Sequence, residues 1–302
     1  LMMPEQVRRS GPLPAALPAP PAGPVAALRG RRELPSGAAY ADGVRAAVAR
    51  MAEGALSKVV LARAVEVTAA APVDTPLLLR RLAARDPGGY LFAVDVGDRS
   101  TLVGSSPELL VSRRGATVVA NPLAGSIPRA ADPVEDTRRA QALLASRKDL
   151  HEHAVVVDAV RQALAGLCAD LEVPAAPGLV RTAAMWHLST TVRARLADRR
   201  VSSLRLAAAL HPTPAVCGAP PHAARAVIAA HEPVDRGWFA GLTGWQDGTG
   251  DGEWAVTLRC AVVRGDVVRL YAGAGVVAGS DPEAELAETE AKLGTVLTGL
   301  GL

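Results

Sequence analysis

The chain has 302 residues, 49% hydrophobic and 21% charged, with 33 Lys plus Arg against 30 Asp plus Glu for a net charge of +3. That balance, with only four Trp, three Tyr and two Phe, excludes a nucleic-acid binder built on a basic surface or a base-stacking platform. The length supports a sizeable core, and no stretch approaches the ~20 apolar residues of a membrane span.

Seven prolines within residues 1–24 block helix interior and central strand. Residues 1–35 therefore read as an extended Pro/Ala-rich arm or the remnant of an N-terminal region, and the prolines break any apolar run a secretion signal needs. One domain is expected over residues 36–302. Within it, 39–51 is helical by pattern, and 58–67 (KVVLARAVEV) is a strand with β-branched residues. A helix over 75–85 follows, then short strands at 90–96, 101–104, 109–112 and 117–120. Residues 132–171 read as mostly helical, interrupted near 146–149. Helices at 203–210 and 219–231 precede strands at 239–245, 254–264 and 267–274, with turns at Asp247-Gly248 and Arg264-Gly265-Asp266. A last amphipathic helix covers 282–297, capped by Ser280 or Asp281. Strand clusters separated by helices, without strict alternation, predict an α+β fold with large antiparallel sheets. Cys168, Cys217 and Cys260 have neither zinc spacing nor a disulfide count, and fit buried thiols in a reducing cytoplasm.

Glu285 and Glu288 lie three apart near the start of the last helix and share a face. Hard divalent ions such as Mg²⁺ take such oxygen ligands, while an acidic first turn complementing the helix dipole explains the same residues. His151-Glu152-His153 lacks the i, i+4 histidines of a helical zinc site; it offers a site Glu152 or the histidines, or is a solvated helix start. Ala272-Gly273-Ala274-Gly275, with Gly279 next, imitates a dinucleotide fingerprint. Its spacing is GxGxxxG, and acidic residues follow where pyrophosphate needs positive potential. A tight glycine turn that brings backbone N–H groups to a carboxylate fits better, and Pro122-Leu-Ala-Gly125-Ser126 is a second such turn. Lys58 is ordinary on a surface, but in a desolvated site a lysine loses its proton and acts as a base. Glu108, at a turn beside apolar residues, is placed where a carboxyl pKa rises toward that of a general acid. No GxSxG elbow accompanies Ser105 or Ser106, and His187 has no Ser or Cys partner by sequence, which disfavours a serine or cysteine hydrolase.

Taken in order, these segments form a pattern. Lys58-Val-Val-Leu-Ala-Arg63, Gly104-Ser-Ser-Pro-Glu-Leu-Leu110, Pro122-Leu-Ala-Gly-Ser126, Lys148-Asp-Leu-His-Glu-His153 and Trp186-His-Leu188 occur in the sequence order of one family. So do His211-Pro-Thr-Pro-Ala215, Thr257-Leu-Arg259, Ala272-Gly-Ala-Gly275 and Ser280-Asp-Pro-Glu-Ala-Glu285 with Glu288, Thr289 and Lys292. Over residues 36–300 the chain resembles the chorismate-utilising enzymes: anthranilate, aminodeoxychorismate, salicylate and isochorismate synthases. The resemblance implies large antiparallel sheets packed as a sandwich with flanking helices, and chorismate as the substrate. It also discriminates the reaction. Lysine stands at 58, where ammonia-using anthranilate synthases carry glutamine. Ala124 stands where aminodeoxychorismate synthases place a catalytic lysine, and Ala215 where salicylate-forming members carry threonine. All three imply an isochorismate synthase, and residues 211–218 look most like siderophore-pathway members. A salicylate synthase releasing pyruvate, or a catalytically impaired chorismate-binding subunit, are the alternatives.

By the same resemblance, Lys58 takes a proton from water attacking C2 and protonated Glu108 donates to the departing C4 hydroxyl. Burial pushes a lysine pKa down and a glutamate pKa up, as this division of labour needs. Glu152 and Glu288 would bind Mg²⁺ directly and Glu285 through water. Arg259 and Lys292 would hold the pyruvyl carboxylate, Gly125, Ser126 and Gly273 would add backbone or hydroxyl contacts, and His187, Ala215 and Phe239 would line the pocket. Family members carry a longer N-terminal region that adds strands to one sheet, which this chain is expected to lack. A cytoplasmic monomer without nucleic-acid or membrane partners is expected, with an incomplete N-terminal sheet edge as the place where association would begin.

Overall fold

The structure, a computed structural model, describes residues 27–302 together with 20, 21, 23 and 25; most of the expected arm lies outside the described residues. The first half runs β1 (Leu28–Leu34), α1 (Gly37–Ala52), β2 (Lys58–Ala69), α2 (Thr75–Arg85), β3 (Tyr90–Asp95), β4 (Ser100–Ser106), β5 (Leu109–Arg114), β6 (Thr117–Asn121) and β7 (Leu123–Pro128). Two helices follow, α3 (Pro133–Ala145) and α4 (Arg147–Ala165), then β8 (Cys168–Glu172), β9 (Gly178–Arg181), β10 (Met185–Ser189) and β11 (Val192–Leu196). The remainder is α5 (Ser203–Leu210), β12 (Gly218–Ala219), α6 (Pro221–His231), β13 (Leu242–Gln246), β14 (Gly252–Val256), β15 (Cys260–Arg264), β16 (Val267–Val276) and α7 (Pro282–Leu300).

All pairings are antiparallel, as the α+β reading expects. One sheet has the order β1-β2-β16-β15-β4-β3 with β12 also on β2; a second has β13-β14-β5-β6-β11-β8; a third, smaller one has β7-β10-β9. The two large sheets share a core, in which Ala62, Ala64 and Leu102 of the first join Leu110, Val118 and Val192 of the second. Strand β2 is buried on both faces, and its period-2 alternation sorts its side chains. Ala62 and Ala64 face the sandwich core; Val59 and Leu61 pack with α1 and α6, and Val65 and Val67 with α2 and α7. Lys58 shares the inward parity of Ala62.

Four expectations need correction. Residues 28–34 are a strand inside the domain, not arm: β1 pairs with β2 from Leu28 to Leu34. Among the described residues β1 ends its sheet, and its Arg29, Arg31, Arg32 and Glu33 are the charges that discourage further edge pairing. Residues 122–126 are not a free turn, because β7 begins at Leu123 and pairs with β10. The helix expected to reach 171 stops at Gly166, and residues 168–172 pair with β11 instead. The strand expected over 254–264 is two strands in different sheets, broken at 257–259 where Arg259 takes a left-handed φ of 48°.

That break is one of several short crossings between sheets. Others are residues 107–108 between β4 and β5, residue 122 between β6 and β7, residues 173–177 between β8 and β9, and residues 190–191 between β10 and β11. A cleft opens beside the crossings at 107–108 and 257–259.

Candidate active site

The cleft is lined by Glu108 from one crossing, Leu258 and Arg259 from another, and Leu123, Gly125 and Ser126 from β7. Glu152 of α4, His187 of β10, Ala215, Phe239, Gly273 of β16, and Glu288 and Lys292 of α7 complete the part of the wall that the sequence singles out. Of the expected site residues, only Lys58 and Glu285 stand behind this lining, 0% and 1% exposed. Glu108 is 2% exposed, and the Leu123 N–H, 3.4 Å from its Oε1, is its hydrogen-bond donor. Burial raises its pKa to about 7, against the opposing pull of that N–H, Lys58, Lys292 and Arg259. Glu108 therefore keeps a proton up to neutral pH, as a general acid must. Burial likewise lowers the Arg259 guanidinium to about 10, which leaves it charged near neutrality. His187 is held well below its ordinary pKa by burial, then by Arg259 and Lys292. It is thus neutral, and its Nε2, 3.3 Å from Arg259 Nη2, acts as acceptor. Phe239 stacks on Tyr271 with ring centroids 5.5 Å apart.

The carboxylates behind and along the other wall each have a lysine Nζ in contact. Lys58 Nζ is 2.9 Å from Glu152 Oε1, an ion-pair distance whose angle makes no hydrogen bond. Lys148 Nζ is 2.6 Å from Glu285 Oε1, and Lys292 Nζ is 2.6 Å from Glu288 Oε1. Lys292 also donates to the Gly273 carbonyl at 2.8 Å, and the Ser126 hydroxyl donates to Glu288 at 2.9 Å. Glu285 is pushed up to about 7 by burial and by Glu288, whereas Glu288 ends below the usual range because Lys292 and its other partners outweigh burial.

Residues 18–301 match the family model of the chorismate binding enzymes. The chain belongs to that family. It is 53% identical to the isochorismate synthase DhbC of Bacillus subtilis, covering 100% of this chain and 77% of that protein. The crystal structure of DhbC from Bacillus anthracis is similar with a TM-score of 0.90 and 53% identity, over 91% of this chain and 75% of that one. The structure of MenF, the menaquinone-specific isochorismate synthase from Escherichia coli, gives a TM-score of 0.83 at 32% identity, over 94% and 66%.

For a chorismate-binding enzyme the site contains residues that the motif pattern left without a role. A Cβ on Gly275 would collide with the Glu152 carboxylate and stand 3.2 Å from Lys58 Cε, so glycine is what lets this ion pair lie against β16. Gly125 has φ +75°, and a Cβ there would stand 3.0–3.2 Å from Asp149 and Leu188, which makes glycine a backbone requirement as well as a wall. Lys148 stands in the Lys148–His153 motif, yet only the fold reveals its carboxylate partner on α7. His153, also in that motif, is buried and neutral, with burial lowering its pKa to about 4. Its ring nitrogens meet the Ala124 carbonyl at 3.1 Å and the Thr190 hydroxyl at 2.7 Å, tying α4 to β7 and to the crossing at 190–191. Among the described residues no three His, Cys, Asp or Glu side chains form a ready-made metal cage. The donor set nevertheless suits Mg²⁺, a hard ion that takes one or two carboxylates, keeps waters and leaves positions for substrate oxygens. Glu152 and Glu288 present such carboxylates at one cleft, with Glu285 beside Glu288. No helix among the described residues is long and apolar enough to cross a membrane.

Proposed function

We propose that this enzyme is a siderophore-type, Mg²⁺-dependent isochorismate synthase: water adds at C2 of chorismate and the C4 hydroxyl leaves. The observation that carries the reading is a buried, proton-retaining Glu108 in the wall of one cleft, with a buried Lys58 behind that wall and Arg259 and Lys292 as its cations. Lys58, acting as its neutral amine, accepts a proton from the water whose oxygen bonds to C2. Glu108 gives its proton to the departing C4 oxygen, so the ring gains one hydroxyl and loses another. Arg259 and Lys292 bind the pyruvyl carboxylate, and Gly125, Ser126 and Gly273 add backbone or hydroxyl contacts. Neutral His187 and Phe239 shape the wall without adding charge. Glu152 and Glu288, with Glu285 beside them, would hold the Mg²⁺, which would supply positive charge to the ring carboxylate and polarise the ring. Ala215 supplies no hydroxyl, which favours release of isochorismate over loss of pyruvate. The similarity to DhbC, described in Bacillus anthracis as 2,3-dihydroxybenzoate-specific, supports the siderophore-type reading. We further infer a cytoplasmic, monomeric enzyme.

The test is incubation of the purified chain with chorismate, with and without Mg²⁺, and chromatographic resolution of the products. Isochorismate without pyruvate, formed only with Mg²⁺, is expected. Salicylate with pyruvate would overturn the reading of Ala215, and absence of turnover by folded protein would overturn the enzyme itself.

A further inference from the structure

Strand β16 covers one edge of β2 from Val59 to Thr68. The other edge is shared by β12, opposite Lys58 and Val59, and by β1, opposite residues 64–69. Between them residues 60–63 meet no strand on that side, and an ion pair takes its place. Arg236 Nη2 donates to the Val60 carbonyl and Nη1 to the Val216 carbonyl, both at 2.7 Å. Its Nε donates to Glu232 Oε2 at 2.7 Å, and Glu232 Oε1 accepts from the Ala62 N–H at 2.8 Å. The Val60 N–H reaches the Cys217 carbonyl at 2.9 Å, closing the seam. The side chains of Glu232 and Arg236 are 5% and 17% exposed. At that burial, desolvation consumes much of the attraction, so stability alone is a poor account of the pair.

What the pair touches is functional. Val60 lies two residues beyond Lys58 on the same strand, Val216 follows Ala215, and both valines line the cleft. We propose that Glu232 and Arg236 are positioning residues, an ionic splint that fixes the Lys58-bearing strand against the Ala215–Val216 wall. The inference rests on the isochorismate synthase reading. Among the described residues, Arg259 and Lys292, which hold the substrate carboxylate, neither hydrogen-bond nor ion-pair with the splint, so its loss misplaces the base relative to the ring without releasing the substrate.

The experiment compares wild type with Arg236→Ala and Arg236→Lys, counting active sites by the calorimetric stoichiometry of chorismate binding. Wild type must first form isochorismate; if it does not, the functional reading fails, not the splint. In Arg236→Ala, kcat per active site is expected to fall on the order of 10- to 100-fold, with KM changed less than about threefold. Millimolar guanidinium should restore kcat saturably. Arg236→Lys should keep the defect, because one ammonium cannot reproduce the planar fork that serves Val60, Val216 and Glu232 together. Should Arg236→Ala not fold, Arg236→Lys decides alone. An unchanged kcat per active site in whichever variant folds, even with a lowered melting temperature, would overturn the proposal.

Discussion

Glu108 and Glu288 are the same residue type in the wall of the same cleft, and they end in opposite states. At the β4–β5 crossing, Glu108 has one long backbone hydrogen bond and no ammonium in contact, so burial decides and the proton stays. On α7, Glu288 has Lys292 at 2.6 Å and the Ser126 hydroxyl at 2.9 Å, so burial is outweighed and the charge stays. Contact with a cation, rather than depth, separates the proton-retaining carboxyl from the ionised one here. The two regions are also built differently. The crossings are formed by backbone changing sheets, while α7 and α4 deliver carboxylates from rigid helices.

The largest expected effect comes from removing the donor. Glu108→Gln should lower kcat by about 10²- to 10⁴-fold, with chorismate binding, measured by calorimetry, within about threefold of wild type. Next is the close approach that seats the other wall. In Gly275→Ala the new methyl displaces the Glu152 carboxylate, and kcat/KM should fall by roughly 100-fold with weakened Mg²⁺ dependence. Gly273→Ala, whose Cβ would stand 3.1 Å from the Leu61 carbonyl, should do less in the same assay. A smaller effect is expected at the scaffold between the two regions. Thr190→Val removes the hydroxyl that faces His153 and should cost about 1–2 kcal/mol in urea unfolding, leaving the pH dependence of kcat unchanged.

Much of this comparison could be read from the chain alone. The long periodic elements are legible because their own residues decide them, as in β2 with its β-branched run and in α7 with Asp281 as its cap. The cap falls to Asp281 because Ser280 instead accepts from the Val277 N–H. Short strands such as β8, β9 and β10 carry too few residues for a period, and exist because a neighbour pairs with them. Sheet membership is equally hidden. The run 254–264 reads as one strand, and only the left-handed backbone at Arg259 moves its second half to the other sheet. Among site residues, Lys58, Glu108, Glu152 and Glu288 stand in recognisable motifs. Lys148, Glu232 and Arg236 act through partners between 4 and 176 positions away, and no local pattern announces a contact set by the fold.

The account turns on Glu108 holding its proton near neutrality, and the pH dependence of kcat in wild type and Glu108→Gln tests this most directly. Because the raised pKa belongs to the donor, the active form is lost as pH rises through about 7. Wild-type kcat should therefore fall on the basic side with an apparent pKa near 7, and Glu108→Gln, slower throughout, should lack that limb. The same basic limb in both proteins would contradict the assignment of Glu108 as the acid.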